Sequence, residues 1–150
     1  MKRPSKDEYY LDIALSVLKR STCLKRHYGC VIVKNDIIIS TGYNGSPRRE
    51  ENCFDVGLCK RSDANRYTGY ESCVSVHAEQ NSLIAADSEN LIGSTVYLSC
   101  EEANVVQLTA YEKEIVWRED VRPIPCPLCR RMLKNAGIAR VVNRSGDVCL

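Results

Sequence analysis

Five apolar residues near the start of the chain recur at the i, i+3, i+4, i+7 and i+8 spacing of one helical face: Tyr10, Ile13, Ala14, Val17 and Leu18. Ahead of them, Ser5 and Glu8 have the spacing of a capping box, in which each side chain bonds the other residue's backbone N–H. The pattern predicts a first helix over about residues 4–19.

Two short β-branched runs come next. Residues 30–34 are Cys-Val-Ile-Val-Lys and residues 37–41 are Ile-Ile-Ile-Ser-Thr, with Asn35-Asp36 between them. Such a pair of runs around a two-residue turn is typical of an antiparallel hairpin. Because the runs are continuously apolar rather than alternating, we expect a sheet that is covered on both faces.

The later pattern predicts helices over about 76–86 and 126–135 and strands over about 95–99 and 139–142. Segments 42–73 and 101–124 lack clear periodicity. Strands that alternate with helices favour an α/β domain of three layers, α-β-α, around a small mixed β-sheet whose later strands are parallel. The sequence has no internal repeat and no linker, so residues 1–150 are expected to form one domain.

Composition excludes several classes of protein. Hydrophobic residues make up 44% of the chain and charged residues 27%, which argues against disorder. The net charge of +2 gives no broad basic surface for nucleic acid or membrane. The polar N-terminal residues do not resemble a secretory signal, and no apolar run approaches the roughly 20 residues of a membrane span. We therefore expect a cytoplasmic protein.

Cysteine is the unusual feature, with nine cysteines against two histidines. In a reducing compartment such cysteines more often bind metal or take part in catalysis than form disulfides. His77, Cys126 and Cys129 supply one imidazole and two thiolates, the ligand number of a catalytic zinc with an open fourth position. The i, i+3 spacing of the two cysteines places both sulfurs on one side of a first helical turn, where unpaired N–H groups favour thiolate.

Glu79 lies two residues after the candidate ligand His77 and is not needed as a ligand. Its carboxylate can take a proton from a water and later deliver it to the substrate. This combination suits hydrolytic attack on an amidine-like carbon with loss of ammonia. The alternative is a non-catalytic zinc module that binds nucleic acid or a partner protein, with Cys126 and Cys129 forming half of a structural knuckle.

The order His-x-Glu followed by Pro-Cys-x-x-Cys is the pattern of the zinc nucleobase deaminases. Beyond it, the chain resembles the deoxycytidylate (dCMP) deaminases of the cytidine/deoxycytidylate deaminase superfamily, most specifically in Thr41-Gly42-Tyr43-Asn44-Gly45. The resemblance covers most of residues 4–142. It is carried by residues 21–23, 29–36, 39–47, 77–81, 126–129 and 135–138.

The resemblance implies a cytidine-deaminase-like fold and zinc-dependent hydrolysis of dCMP to dUMP and ammonia, which feeds dTMP supply. It implies that Asn44 contacts the nucleoside and that the backbone at Ala78 faces the pyrimidine; a turn residue that caps the strand is the alternative for Asn44. It also implies a homo-oligomer, a hexamer in many members, that dCTP and dTTP regulate together with Mg²⁺. Cytidine, deoxycytidine and a modified nucleotide are alternative substrates. The near-neutral net charge argues against a tRNA substrate, because phosphate contacts dominate the affinity for nucleic acid.

The chain departs from the family pattern in three places. Arg48-Arg49 stand where members commonly have a Gly, and Ser75 stands where they often have an Arg. Segment 101–124 replaces the short link between the third strand and the Pro-Cys motif. That segment could be a hairpin at the sheet edge, a lid, an oligomer contact or an ordinary loop, and an exposed Trp117 would indicate a subunit interface. A monophosphate needs cations near the site. We select Arg26 as the candidate phosphate-binding residue, and Lys25, Arg48 and Arg49 are further candidates. The alternative for each is a solvated base on the surface with no role in binding.

Four cysteines bracket the long polar loop and suggest a second, structural zinc held by thiolates: Cys23, Cys53, Cys59 and Cys73. The resemblance adds support because some phage members of the family carry a second zinc, and it places ligands at Cys23 and Cys53. Scattered buried or free thiols are the alternative. Cys30 and Cys100 are expected at strand ends as small buried groups, and Cys149 in a frayed tail.

Overall fold

The computed structural model describes residues 1–61, 68–107, 112–119 and 121–150, which form a six-stranded mixed sheet with helices on both faces. The predicted three-layer α-β-α class is confirmed. Within these ranges, no helix combines the length and the apolar character needed to cross a membrane. Helices α1 to α5 span Lys6–Leu18, Cys53–Val56, Ala78–Ile84, Ser88–Leu91 and Pro127–Asn135, and strands β1 to β6 span Arg26–Lys34, Ile37–Tyr43, Thr95–Gln107, Lys113–Arg118, Arg140–Asn143 and Gly146–Val148.

The sheet has the strand order β2-β1-β3-β5-β6, and β4 pairs with the second half of β3. Strand β1 is antiparallel to both β2 and β3, whereas β3 and β5 are parallel, as the sequence predicts for the later strands. Helix α5 lies in the connection to β5, which is the usual crossover between parallel strands.

The first helix and the hairpin form where the pattern predicts them, but β2 is an edge strand whose Ile37 and Ile38 are exposed, so the expected cover on both faces does not extend to it. Ser5 Oγ accepts a hydrogen bond from the Glu8 N–H at 3.2 Å, and Glu8 Oε2 accepts one from the Ser5 N–H at 2.6 Å, so the capping box begins α1. At the hairpin turn, Asn35 and Asp36 have φ of 50° and 63°, the left-handed pair of a type I′ turn. Tyr10 then donates its hydroxyl to the Asp36 carboxylate at 2.5 Å and ties the turn to α1.

Two apolar clusters hold the three layers together, because alternate residues of the buried strands point to opposite faces. The cluster on the α1 side consists of Tyr10, Leu11, Ala14, Val31, Val33, Tyr97 and Val142. The cluster on the side of α3, α4 and α5 consists of Cys30, Ile32, Ala78, Leu91, Val96, Leu98, Leu133, Ile138 and Val141.

Glycines allow the helices to approach the sheet closely. A Cβ at Gly29 would lie 2.0 Å from the carbonyl oxygen of Ala14 in α1. A Cβ at Gly42 would lie 2.4 Å from the carbonyl oxygen of Ala78 in α3. Only glycine fits at either position without moving a helix, so Gly42 determines how near the first turn of α3 can come to the sheet.

The unpatterned segments contain more structure than the sequence predicts. Strand β3 continues to Gln107 and pairs with β4, so segment 101–124 contains a hairpin, one of the four predicted alternatives. Its residues 108–111 lie outside the described part. Segment 42–73 contains the short helix α2 and a 3₁₀ turn at Tyr70–Ser72. Strand β6 was not predicted either, because three residues at the end of the chain are too few for a period.

Candidate functional site

Two helix starts carry the predicted metal ligands. His77 is the N-cap residue of α3, and the Gln80 side chain accepts a hydrogen bond from its backbone N–H at 2.9 Å. Cys126 is the N-cap residue of α5, and its Sγ accepts a hydrogen bond from the Cys129 N–H at 3.4 Å. Pro127 follows at N1, where its missing N–H costs no helical hydrogen bond. The local sequence thus directs both sulfurs toward the start of α5.

The fold brings these ligand atoms together. Nδ1 of His77 lies 3.6 Å from Cys126 Sγ and 3.3 Å from Cys129 Sγ, and all three atoms lie within 4.8 Å of one another. A tetrahedral zinc with Zn–S of about 2.3 Å and Zn–N of about 2.0–2.1 Å sets its nitrogen and sulfur ligands about 3.6 Å apart. The three residues therefore fit a zinc ion. Among the described residues this is the one His/Cys/Asp/Glu group that meets this spacing.

The two thiols are electrostatically unequal. A hydrogen bond from the Cys129 thiol, aided by hydrogen bonds from His77 and from the Cys129 N–H, lowers the pKa of Cys126 to about 3. The pKa of Cys129 is raised, first because its proton bonds Cys126 and then because it is buried. The hydrogen bond with Cys126 raises the pKa of His77. Two thiols beside an imidazole suit a metal cation, since metal binding favours the loss of thiol protons.

Glu79 lies in the first turn of α3 and is only 4% exposed. Burial raises its pKa, while hydrogen bonds from its own backbone N–H and from the Cys129 thiol, together with the charge of His77, oppose the rise. A buried carboxyl beside a metal site with a raised pKa is suited to accept and return a proton.

The site opens into a cleft of about 400 Å³, within the range of about 300–1,000 Å³ typical of small-molecule sites. His77, Glu79 and Cys126 line it. The remaining lining comes from residues 23–28 with Asn44, from residues 59–75 and from residues 102–124: Cys23, Leu24, Lys25, Arg26, Tyr28, Asn44, Cys59, Arg61, Tyr70, Cys73, Ser75, Glu102, Ala103, Ile115 and Ile124.

Asn44 lines the cleft but also has a structural role. Its Oδ1 accepts hydrogen bonds from Ser21 Oγ at 2.7 Å and from the Tyr28 N–H at 2.8 Å, and its Nδ2 donates to the Arg26 carbonyl at 2.9 Å. A carboxamide has two donor hydrogens, so within the described part of the chain one Asn44 N–H remains for a ligand. Ala78 is fully buried, and its neighbours His77 and Glu79 line the cleft in its place.

The four candidate phosphate-binding residues separate into two groups. Lys25 and Arg26 line the cleft, and Arg26 Nε donates to Glu102 Oε1 at 2.6 Å. Arg48 and Arg49 are exposed and are not among the residues that line it. The structure therefore leaves Lys25 and Arg26 as the candidates of that set.

Sequence reasoning missed several residues of the cleft wall. The Arg61 guanidinium lies 4.4 Å from the centre of the Tyr70 ring, and the Tyr70 ring lies 5.5 Å from the His77 ring. Arg61 and Tyr70 therefore form a stacked wall beside the candidate ligand His77. The sequence does show an arginine and a tyrosine, Arg61 and Tyr70, in a loop flanked by cysteines. No local pattern, however, predicts that Tyr70 lies beside His77.

The four loop cysteines surround a second cavity of about 290 Å³: Cys23, Cys53, Cys59 and Cys73. Burial, and then the proximity of the other three thiols, raise the pKa of Cys53. No three of their sulfurs lie within 4.8 Å of one another, in contrast to the ligand atoms of the group around residue 77. All nine cysteines are free in this structure.

The other three cysteines differ slightly from expectation. Cys30 and Cys100 are buried, as predicted, but both lie inside strands rather than at strand ends. Ser82 donates its hydroxyl to Cys30 Sγ at 3.0 Å. Cys149 is exposed after β6.

Trp117 is not the exposed residue that the sequence suggested. It is half-buried and stacks on His27, with ring centres 3.8 Å apart. His27 is buried, with Nδ1 2.6 Å from Glu101 Oε1 and Nε2 2.8 Å from the Cys23 carbonyl oxygen. The stack anchors the β3–β4 hairpin to β1, so Trp117 supports the cleft wall and gives no evidence for a subunit interface.

Comparison with known proteins gives consistent matches. The family model for the cytidine and deoxycytidylate deaminase zinc-binding region matches residues 4–144. A deoxycytidylate deaminase of Saccharomyces cerevisiae is 36% identical over 143 residues, 91% of this chain and 44% of that protein. A deoxycytidylate deaminase of Mycobacterium phage D29 is 35% identical over 149 residues, 95% of this chain and 96% of that protein.

A solved structure supplies a further match. The dCMP deaminase from the cyanophage S-TIM5, in complex with dCMP and dUMP, aligns with a TM-score of 0.64 and 25% identity. The alignment covers 95% of this chain and 82% of that chain. The chain thus spans less than half the length of the yeast relative and nearly all of the mycobacteriophage relative.

Proposed function

Because the chain belongs to the cytidine and deoxycytidylate deaminase family, we propose that it is a zinc-dependent enzyme that hydrolyses dCMP to dUMP and ammonia. One observation carries the proposal: a buried Glu79 lies beside three ligand atoms that fit zinc, in a cleft of nucleotide size. The named relatives and the solved dCMP complex support the choice of substrate. We take residues 1–150 as one catalytic domain.

His77, Cys126 and Cys129 are the residues that hold the metal. Bound there, zinc supplies Lewis-acid activation of a water molecule for attack on the pyrimidine. The two cysteines share one helical turn and His77 begins another helix, so the packing of α3 against α5 sets the ligand spacing.

Glu79 moves the protons of the reaction. Its carboxylate takes a proton from the attacking water and passes it to the pyrimidine ring, and a second transfer allows the amine to leave as ammonia. Burial keeps this carboxyl away from bulk water, so the proton stays between protein and substrate.

The remaining contacts position the nucleotide. The second N–H of Asn44 donates to the deoxyribose, while its other bonds hold the amide rigid. The backbone at Ala78, between His77 and Glu79, faces the pyrimidine. Arg26 binds the 5′-phosphate, since it lines the same cleft and guanidinium suits phosphate.

Glu79→Gln tests the enzyme against the non-catalytic zinc module. The variant keeps size and hydrogen-bonding capacity but cannot accept the proton, so kcat should fall by at least about 10³-fold, near the upper part of the general acid–base range. Zinc content and melting temperature should stay at the wild-type values. The exposed Glu89→Gln is the matched control and should retain full activity. Fully metallated wild-type protein that releases no ammonia from any pyrimidine would refute an enzymatic function.

A substrate panel decides among the related activities. Ammonia release is compared for dCMP, CMP, deoxycytidine, cytidine and dCTP, with and without added dCTP and dTTP. We expect dCMP to have the highest kcat/KM. A preference for deoxycytidine or cytidine would establish the nucleoside alternative, and a response to the triphosphates would support regulation with Mg²⁺.

A second zinc at the four loop cysteines is part of the same proposal, since they line one cavity and closing around an ion would hold the loop. Thiolates at about 2.3 Å from a zinc must approach more closely than the sulfurs do here, so metal binding would draw the loop inward. We further propose a homo-oligomer, hexameric as the family resemblance implies, in the reducing cytoplasm.

A further inference from the structure

Arg26 and Glu102 form an ion pair within the cleft. Arg26 Nε donates to Glu102 Oε1 at 2.6 Å, and each side chain is 31% exposed. The residues face each other in register across β1 and β3, and both line the cleft together with the catalytic group Glu79. Two rigid strands therefore hold the pair.

The ion pair occupies one N–H donor of the Arg26 guanidinium, at Nε, and does not use the donors at the two Nη atoms. A guanidinium carries five N–H donors in a fixed plane. Among the described residues, the bond from Nε to Glu102 is the one hydrogen bond that this side chain donates. The two Nη groups thus remain for a ligand, and the bond at Nε fixes the direction in which they point.

The charge around the pair favours an anion. Among the described residues that line the cleft, the charged ones besides Glu79 are three bases, Lys25, Arg26 and Arg61, and one acid, Glu102. Glu102 also lies in register with Arg118 of β4. One carboxylate among these bases orients a guanidinium without reversing the local sign.

We propose that Glu102 is a positioning residue for substrate phosphate, holding Arg26 through Nε so that its two Nη groups bind the 5′-phosphate. The inference rests on the proposed function and deepens it, because it assigns the preference for a nucleotide over a nucleoside to a cross-strand ion pair. A free arginine samples several rotamers and loses that freedom on binding. Glu102 removes this cost before the substrate arrives.

The test compares dCMP with deoxycytidine, which differ in the phosphate alone. Glu102→Ala should raise KM for dCMP about tenfold, equivalent to one oriented charge-assisted hydrogen bond, with kcat within about twofold. The kcat/KM for deoxycytidine should stay within about twofold. Glu102→Gln, whose amide oxygen still accepts from Nε, should restore most of the preference. The exposed Glu114→Gln on the same hairpin is the matched control.

A double-mutant cycle separates positioning from general stability. In an Arg26→Ala background, Glu102→Ala should cause no further change, because its effect passes through the guanidinium. Arg26→Lys, which cannot present the fork, should reproduce the tenfold loss if Glu102→Ala fails to fold. Equal losses for dCMP and deoxycytidine, or tighter dCMP binding in Glu102→Ala, would overturn the positioning role.

Calorimetry keeps this inference separate from the proposed function. dCMP and deoxycytidine are titrated into zinc-loaded Glu79→Gln protein with and without Glu102→Ala. A selective loss of dCMP affinity supports the positioning role even if no turnover is found, whereas unchanged dCMP affinity overturns it. Wild-type protein that deaminates neither compound refutes only the proposed reaction.

Discussion

Gly42→Ala should reduce zinc binding and kcat by more than its moderate loss of folding stability would explain. A Cβ at Gly42 would lie 2.4 Å from the Ala78 carbonyl oxygen and 2.5 Å from the Ser82 backbone nitrogen. Ordinary contacts to a Cβ begin at about 3.4 Å, so the start of α3 must retreat by about 1 Å. His77 precedes Ala78 directly, and a 1 Å displacement exceeds the tolerance of about 0.2 Å for metal–ligand distances.

The expected loss of stability in Gly42→Ala follows from overpacking at the new Cβ, and the expected loss of rate follows from displacement of the groups at the start of α3. Overpacking a well-packed site costs about 1–3 kcal/mol, and each kcal/mol lowers Tm by about 2–4 °C in a domain of this size. A 1 Å misplacement of catalytic groups costs about 100-fold in rate. We expect a loss of several degrees in Tm, substoichiometric zinc after dialysis and about a 100-fold lower kcat for dCMP.

Gly29→Ala is the matched control. Its Cβ would lie 2.0 Å from the Ala14 carbonyl oxygen, but the helix that it displaces, α1, carries no residue of the candidate site. It should destabilise at least as much while the folded protein keeps its zinc and a kcat within about threefold. The reasoning fails if Gly42→Ala keeps zinc and kcat at reduced Tm, or if both variants lose activity in proportion to stability.

Three further predictions test other parts of the structure. A hydrogen bond from Arg140 lowers the pKa of Asp7, so the stabilisation from the ionised Asp7 carboxylate is present at neutral pH and is lost as pH falls through the folded-state value. Asp7→Asn should therefore cost about 0.5 kcal/mol at pH 7, after screening, and progressively less as the pH is lowered. Asp147→Asn, at a more exposed carboxylate, should change the stability less in urea unfolding. Metal analysis should give two zinc ions per chain and about one in Cys53→Ser; one ion in freshly purified, unchelated wild type rejects the second site. Trp117→Ala should raise KM for dCMP and increase proteolysis of the β3–β4 hairpin, with Trp117→Phe close to wild type.

The elements with local signals could be predicted from the sequence. The capping box at Ser5, the turn at Asn35-Asp36 and the Pro-Cys-x-x-Cys start of α5 each depend on neighbours within a few residues, and each formed as expected. The candidate metal ligands also lie at helix starts, where the sequence predicts them: His77 and Cys126 are N-cap residues and Cys129 lies in the first turn of α5.

The sequence could offer the long hairpin only as one of four alternatives for segment 101–124, because the contacts that stabilise it are distant in sequence. Glu101 and Glu102 indicate a loop by composition, yet in the sheet they face His27 and Arg26 across β1 and β3. Charged residues become compatible with a strand when the partner strand supplies the opposite charge. Sequence patterns contain no information about a pairing 74 residues away.

The same division separates the chemistry of the site from its selectivity. The candidate metal ligands and Glu79 occupy two helix starts that short motifs specify, so a class of reaction can be proposed from a few residues. The described residues of the cleft walls, among them Arg26, Tyr70 and Glu102, come from separate parts of the chain that only the folded sheet and loop bring together. Substitutions in the walls should therefore change which pyrimidine is accepted while zinc binding stays intact, and substitutions at the helix starts should abolish turnover for every substrate alike.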